Sequence, residues 1–279
     1  MTGLSVIMPC YNEFLRIPAT LEMLASQTRP PDELIIVDDC STDGSYELLL
    51  SLQASCPFLT VIRSPKNIGP GPACEIGFSA SSGSHVFFWA MDDMIAPNFI
   101  ETMMRHIHPR AGIAFCDVKE GDREIRHRFE PGYTDPAYTA SDMRGQHIYT
   151  CGAIWQREAV PPQMFDPALL WHSDWFASQV AALRHGVVFV PEVLAEAVYR
   201  PDSFGNRGRR DWSQQRTLLE YILTLMNGPE FYDLLPAFIW ARSMNHFPEA
   251  ARLVVERPYL MTGTNRLLLR DVLSQMRMS

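Results

Sequence analysis

No apolar run in the 279 residues approaches the ~18 needed to cross a membrane as a helix. The N-terminus shows no basic segment followed by an apolar stretch and a small-residue cleavage site, so no secretory signal is read there. Basic residues are few: 24 Lys and Arg stand against 32 Asp and Glu, a net charge of −8. Binding nucleic-acid backbones needs clustered cations, so no nucleic-acid partner is expected. The six cysteines (Cys10, Cys40, Cys56, Cys74, Cys116 and Cys151) form no CxxC pair and have no histidine at metal spacing. That excludes a zinc ribbon and leaves them as small core residues of a reduced protein. A cytoplasmic chain is the expectation, and a peripheral contact with the inner membrane face is compatible with it. No G-x-G-x-x-G follows the first apolar run, which argues against a dinucleotide oxidoreductase. Repeats and low-complexity segments are absent as well.

What the chain does have is an apolar run that stops abruptly at two acids. His85 to Ile95 reads His-Val-Phe-Phe-Trp-Ala-Met-Asp-Asp-Met-Ile. Val86 to Met91 has the length and aromatic content of a buried strand. Ligands of open α/β sheets bind outside the carboxyl ends of the strands, where Asp92 and Asp93 would stand. Adjacent carboxylates there suit a hard cation such as Mg²⁺ or Mn²⁺. The plainer alternative is a solvated strand end before a helix opened by Pro97.

In chain order, Leu4–Met8 reads as a strand ended by Pro9, and Pro18 opens a helix carrying Leu21, Leu24 and Ala25. Glu33–Val37 is a second strand, also ending in two acids, Asp38 and Asp39. The Ser41–Ser45 turn leads to a helix over 46–52. A strand at Leu59–Arg63, a turn at 67–72 and a helix over 73–81 precede the strand at 86–91. This alternation predicts a doubly wound, mainly parallel α/β sheet with right-handed crossovers. Both acid pairs then fall on one edge of it. Further on, the pattern predicts a helix over 97–106, a strand over 112–118, a charged excursion over 119–128 and a loop over 133–138. Small residues around Cys151-Gly152-Ala153 would let the backbone pass beneath a ligand. A helix over 171–185 stops at Gly186, and a strand over 187–190 is closed by Pro191. Beyond Asp211 the pattern is helical and amphipathic, through Leu218, Ile222, Phe238 and 267–273. We read residues 1–205 as one domain, with halves meeting near residue 95, and 206–279 as a C-terminal helical extension compatible with a homodimer.

Four motifs in order, Val6-Ile7-Met8-Pro9-Cys10-Tyr11-Asn12-Glu13, Ile36-Val37-Asp38-Asp39-Cys40-Ser41-Thr42-Asp43-Gly44-Ser45, Asn67-Ile68-Gly69 and Ala90-Met91-Asp92-Asp93, resemble the family 2 glycosyltransferases. Weaker matches continue to Tyr199-Arg200. The resemblance implies a GT-A fold and an inverting transfer of sugar from a nucleotide-diphospho-sugar, UDP-linked by preference. The acceptor would be a hydroxyl on a carbohydrate or glycolipid, in polysaccharide, lipopolysaccharide or other glycoconjugate synthesis. It implies a donor site of Pro9, Tyr11, Glu13, Asp39, Asn67, Gly69 and Asp92, with Tyr11 stacking on the base and Asp39 accepting from it. Asp92 and Asp93 would hold Mg²⁺ or Mn²⁺ against the diphosphate, and Asp174 would be the general base. Trp171, His172, Trp175 and Arg200 are the acceptor-side candidates.

Three positions depart from the family pattern. Ala90 replaces an earlier acid, Cys74 stands where an arginine is common, and Ser173 replaces the glutamate before Asp174. They keep a second reading open, a catalytically degenerate nucleotide-sugar binding module. Arg207, Arg209 and Arg210, set among Gly205 and Gly208, read as a flexible lid or a solvated charge run.

Overall fold

The structure, a computed structural model, describes residues 3–143, 146–200 and 211–226, with 203, 205, 208, 228–231 and 234. The expected helices around Phe238 and 267–273, and the lid arginines 207, 209 and 210, lie outside the described residues.

The N-terminal half follows the apolar runs. Strands β1 (Leu4–Cys10), β2 (Glu33–Asp38), β3 (Leu59–Arg63) and β4 (His85–Phe88) alternate with helices α1 (Ile17–Ala25), α2 (Ser45–Gln53) and α3 (Pro70–Ala80). The four strands are parallel, in the order β3-β2-β1-β4. Leu4, Val6, Ile7, Leu34, Ile35, Ile36 and Val37 are all 0–1% exposed, because helices cover both faces of these strands. Helix α3 lies close to the sheet: a Cβ on Gly77 would fall 2.6 Å from Ile7 Cγ2.

The second half widens the same sheet. After β5 (Met94–Ile95) and α4 (Phe99–His106) come β6 (Ile113–Glu120), β7 (Arg123–Ile125), β8 (Gly132–Thr134) and α5 (Pro136–Asp142). Then follow β9 (Ala153–Gln156), α6 (Ser173–His185), β10 (Val187–Ala197) and α7 (Trp212–Met226). The sheet runs β3-β2-β1-β4-β9-β6-β10-β5, with β7 on β6 and β8 on β10. It is a mixed α/β structure whose central sheet is mostly parallel. Strand β9 runs antiparallel between β4 and β6 and joins the two halves. Helix α7 packs on the 167–172 segment, and its Leu218 and Ile222 share a core cluster with Leu169 of that segment and with Phe176 and Val180 of α6.

Four local expectations are corrected. Strand β1 does not stop at Pro9. Trp89 N donates to Ile7 O, so residues 5, 7 and 9 face β4, whose pairing ends at Ile7; no ladder partner exists for Pro9 to miss. Pro191 does not close the last strand either. It sits in a bulge where the register against β6 shifts between Val190 and Val193, and pairing resumes to Ala197. The stretch 133–138 is not a loop: Thr134 ends an edge strand, and Pro136 is the first residue of α5. The strand expected over 86–91 ends at Phe88, which leaves Asp92 and Asp93 in the turn before β5.

Candidate active site

Two loops at the carboxyl edge of the sheet are stitched together. Asn12 N donates to Ser41 Oγ at 2.9 Å, Thr42 N to Asn12 Oδ1 at 2.8 Å, and Glu13 N to Ser45 Oγ at 2.9 Å. Asn12 and Cys40 take left-handed backbone angles, φ 57° and 63°, to make these turns. Asp39, 3% exposed, extends the stitching: Oδ1 accepts from Ile68 N and Oδ2 from Gly69 N, both at 2.8 Å. The second motif thereby holds the third. Gly69, at φ 90°, adopts a conformation open to glycine just before α3 begins. Tyr11 is 48% exposed and Asn67 is exposed as well, and neither lines the cleft described next.

Beyond these loops lies an open cleft of ≈ 370 Å³ across the ends of β1, β4, β6 and β10. Pro9, Asp93, Trp171 and Asp174 line it, so the structure brings four of the expected residues together. Asp93 Oδ1 accepts from Val198 N at 3.1 Å. Burial, the neighbouring Asp92 charge and then Asp174 push the Asp93 carboxyl up to about 7. Asp174, in the first turn of α6, accepts from Thr150 Oγ1 at 2.8 Å and from Trp175 N at 2.6 Å.

Asp92 is reached from far along the chain. Arg200 Nη1 lies 3.2 Å from Asp92 Oδ2 and 3.2 Å from Glu13 Oε1, and Glu13 also pairs with Arg16. One guanidinium therefore ties the first and fourth motifs to the segment leaving β10.

Cys74, where the family favours arginine, lines the cleft from α3. Burial, then Asp174, push its thiol up to about 12, so it is a neutral wall. Trp171 lies against the backbone of Gly208 and follows Leu170, whose φ of 50° is strained for a leucine. His172 packs edge-on between Trp171 and Trp175. Trp175 does not reach the cleft. One step round α6 from Asp174, it is 6% exposed and packs in the cluster shared with α7. Residues that the sequence reading missed also line the cleft, among them Glu120, His147, Tyr149, Thr150 and Tyr199. They come from three separate segments, and no local pattern marks them.

The carboxylates suit a divalent cation in kind, since Mg²⁺ and Mn²⁺ take oxygen ligands and often only one or two from protein. Among the described residues no group of three or more His, Cys, Asp or Glu could hold a metal ion. Any cation there would complete its shell with water or with oxygens of a bound ligand.

The Glycosyl transferase family 2 model matches residues 5–160, more than half of the chain. The chain belongs to the family 2 glycosyltransferases. It is 24% identical over 253 residues to the minor teichoic acid biosynthesis protein GgaA of Bacillus subtilis, covering 84% of this chain and 56% of that one. The chain spans about half the length of several curated relatives it matches, 45%, 56% and 50% in three cases. The structure of S. aureus TarS 1-349 in complex with UDP-GlcNAc superposes with a TM-score of 0.69 at 17% identity, over 90% of this chain and 79% of that one. The mannosyltransferase PcManGT of Pyrobaculum calidifontis, in complex with GDP-Man and Mn²⁺, gives 0.63 at 18% identity, over 98% and 80%. Both have the GT-A fold expected here. No helix among the described residues is long and apolar enough to cross a membrane.

Proposed function

We propose that this chain is an inverting, metal-dependent glycosyltransferase that moves a sugar from a nucleotide-diphospho-sugar to a hydroxyl acceptor. The observation that carries the reading is the pair Asp93 and Asp174, from the turn after β4 and the first turn of α6, facing one cleft whose near wall is Pro9 of β1 with Pro70, Gly71 and Cys74 of α3.

Tyr11, Pro9 and Asp39 would receive the nucleoside, with Tyr11 offering an exposed ring for stacking. Asp39 would do so with lone pairs beyond those used by Ile68 and Gly69. Asp92 and Asp93 would hold Mg²⁺ or Mn²⁺, which would neutralise charge growing on the diphosphate leaving group. Asp174 would take the proton from the acceptor hydroxyl, a role one carboxylate can fill. Thr150 holds that carboxylate in orientation. A UDP-linked donor is favoured, in line with the UDP-GlcNAc bound by TarS. Glycoconjugate synthesis is the setting, in line with GgaA.

The test is thermal stability against nucleoside diphosphates with and without Mn²⁺. A ligand bound only by the folded chain stabilises by about 2.7 kcal/mol at a hundredfold excess over Kd. The expected result is a Mn²⁺-dependent shift with UDP, lost in Asp92→Asn with Asp93→Asn. Full metal-dependent binding in that double variant would overturn the site. Metal-dependent binding with no turnover of any donor sugar would favour the degenerate binding module instead.

A further inference from the structure

We propose that the acceptor is an uncharged saccharide, held at the far end of the cleft by Glu120, Tyr149 and Tyr199 rather than beside Trp175. This deepens the glycosyltransferase reading and rests on it. The sheet order β1-β4-β9-β6-β10 fixes the geography. The nucleotide-side residue Pro9 ends β1, and Asp93 follows β4. Glu120 ends β6, two strand spacings beyond β4, or about 10 Å. In register with Glu120 stands Ala197, which leads directly into Val198 and Tyr199. Asp93 accepts from Val198 N, so Tyr199 is one residue from the backbone that contacts the central acid.

The third element of this end is the turn over 147–152. His147 and Tyr149 meet edge to face, with ring centroids 4.6 Å apart. The next residue, Thr150, donates to Asp174. A group resting on Tyr149 is thereby delivered to the carboxylate that would deprotonate it. Tyr199 is 56% exposed in the cleft wall, a large ring shown to solvent. Glu120 has no hydrogen bond or ion pair to another described side chain, although it lines the same space.

One exposed ring, Tyr199, and one half-buried ring, Tyr149, with a carboxylate beside them match a pyranose. Its C–H face packs on a ring, and its hydroxyls donate to carboxylate oxygen. The charge balance selects further. Among the described residues lining the cleft are three carboxylates, Asp93, Glu120 and Asp174, and no lysine or arginine. Arg200 is already engaged by Asp92 and Glu13. A phosphate on the acceptor would meet like charge at this end, whereas a neutral sugar meets none.

Saturation-transfer NMR on the full chain, with and without UDP and Mn²⁺, tests this. The probes are methyl hexopyranosides (glucoside, galactoside, mannoside and N-acetylglucosaminide) and the matching sugar 6-phosphates. The expected result is binding of at least one methyl glycoside, and weaker binding of its phosphorylated counterpart. Affinity should fall about tenfold in Glu120→Gln and in Tyr199→Ala, and be retained in Tyr199→Phe. The melting temperature of each variant reports that it is folded. Tighter binding of the 6-phosphates would overturn the inference. So would unchanged glycoside binding in both variants, or no glycoside binding by a chain that binds UDP. Glycoside binding that depends on Glu120 and Tyr199, without any metal-dependent UDP binding, would instead sink the donor reading and leave this saccharide site standing.

Discussion

Arg200 donates to Asp92 at 3.2 Å across 108 residues of chain. Both side chains are about four-fifths buried, at 23% and 19% exposure. The guanidinium thus holds an oxygen that a divalent cation would need. A pair of this kind contributes on the order of 1 kcal/mol. That equals about fivefold in a binding constant. Arg200→Ala is expected to tighten Mn²⁺ binding about fivefold in the absence of nucleotide, read by isothermal titration calorimetry. Weaker Mn²⁺ binding in the variant would mean that Arg200 orients Asp92 instead of competing for it.

Asp39 is the hinge between the second and third motifs. Each of its oxygens accepts one backbone N–H, from Ile68 and Gly69. In Asp39→Asn one oxygen becomes an amide group that faces a donor with a donor. Leaving such a buried group unsatisfied costs roughly 2 kcal/mol. The melting temperature should fall by about 4–8 °C. An unchanged melting temperature would show that the 67–69 turn holds without this carboxylate.

Glu33 gives a pH-dependent prediction away from the cleft. Burial pushes its carboxyl up, but hydrogen bonds from Ser5 Oγ, Ser82 N and Gly83 N together outweigh that and hold it below its ordinary 4.5. The folded state therefore binds this proton less readily than the unfolded chain. The resulting stability is present above about 4.5 and is lost as pH falls through the lower folded value. Glu33→Gln should be less stable than wild type at pH 7, and the gap should close on acidification. Urea unfolding at pH 7, 5 and 3 measures it, and a gap independent of pH would refute the account.

The parallel half of the fold was legible because each strand there is a run of apolar residues long enough to be buried on both faces. Helices with clear openings separate the runs. Acids such as Asp39 and Asp93 stand out against such runs, so the carboxyl edge could be found. The antiparallel additions were not legible. Strand β9 is four residues long, follows a tight turn, and owes its place to β4 and β6 rather than to any alternation of its own. Trp175 misled because adjacency to Asp174 in sequence is a turn of about 100° on a helix. Glu120, Tyr149 and Tyr199 share a wall only because β6, the 147–152 turn and β10 converge there, which no local window contains.

Thr150 and Asp174 separate positioning from proton transfer. Asp174→Asn removes the base. Loss of general base catalysis typically costs about 10²- to 10⁴-fold in kcat, and nucleotide binding should be unchanged. Thr150→Val removes only the 2.8 Å hydrogen bond that fixes Asp174. Its kcat should fall about tenfold, the loss of roughly one hydrogen bond to a charged group. Thr150→Ser keeps the hydroxyl and should restore the rate. A Thr150→Ser variant as slow as Thr150→Val would assign the effect to packing of the methyl group. Wild-type kcat in Asp174→Asn would move the base elsewhere in the cleft, with Glu120 the next carboxylate to test.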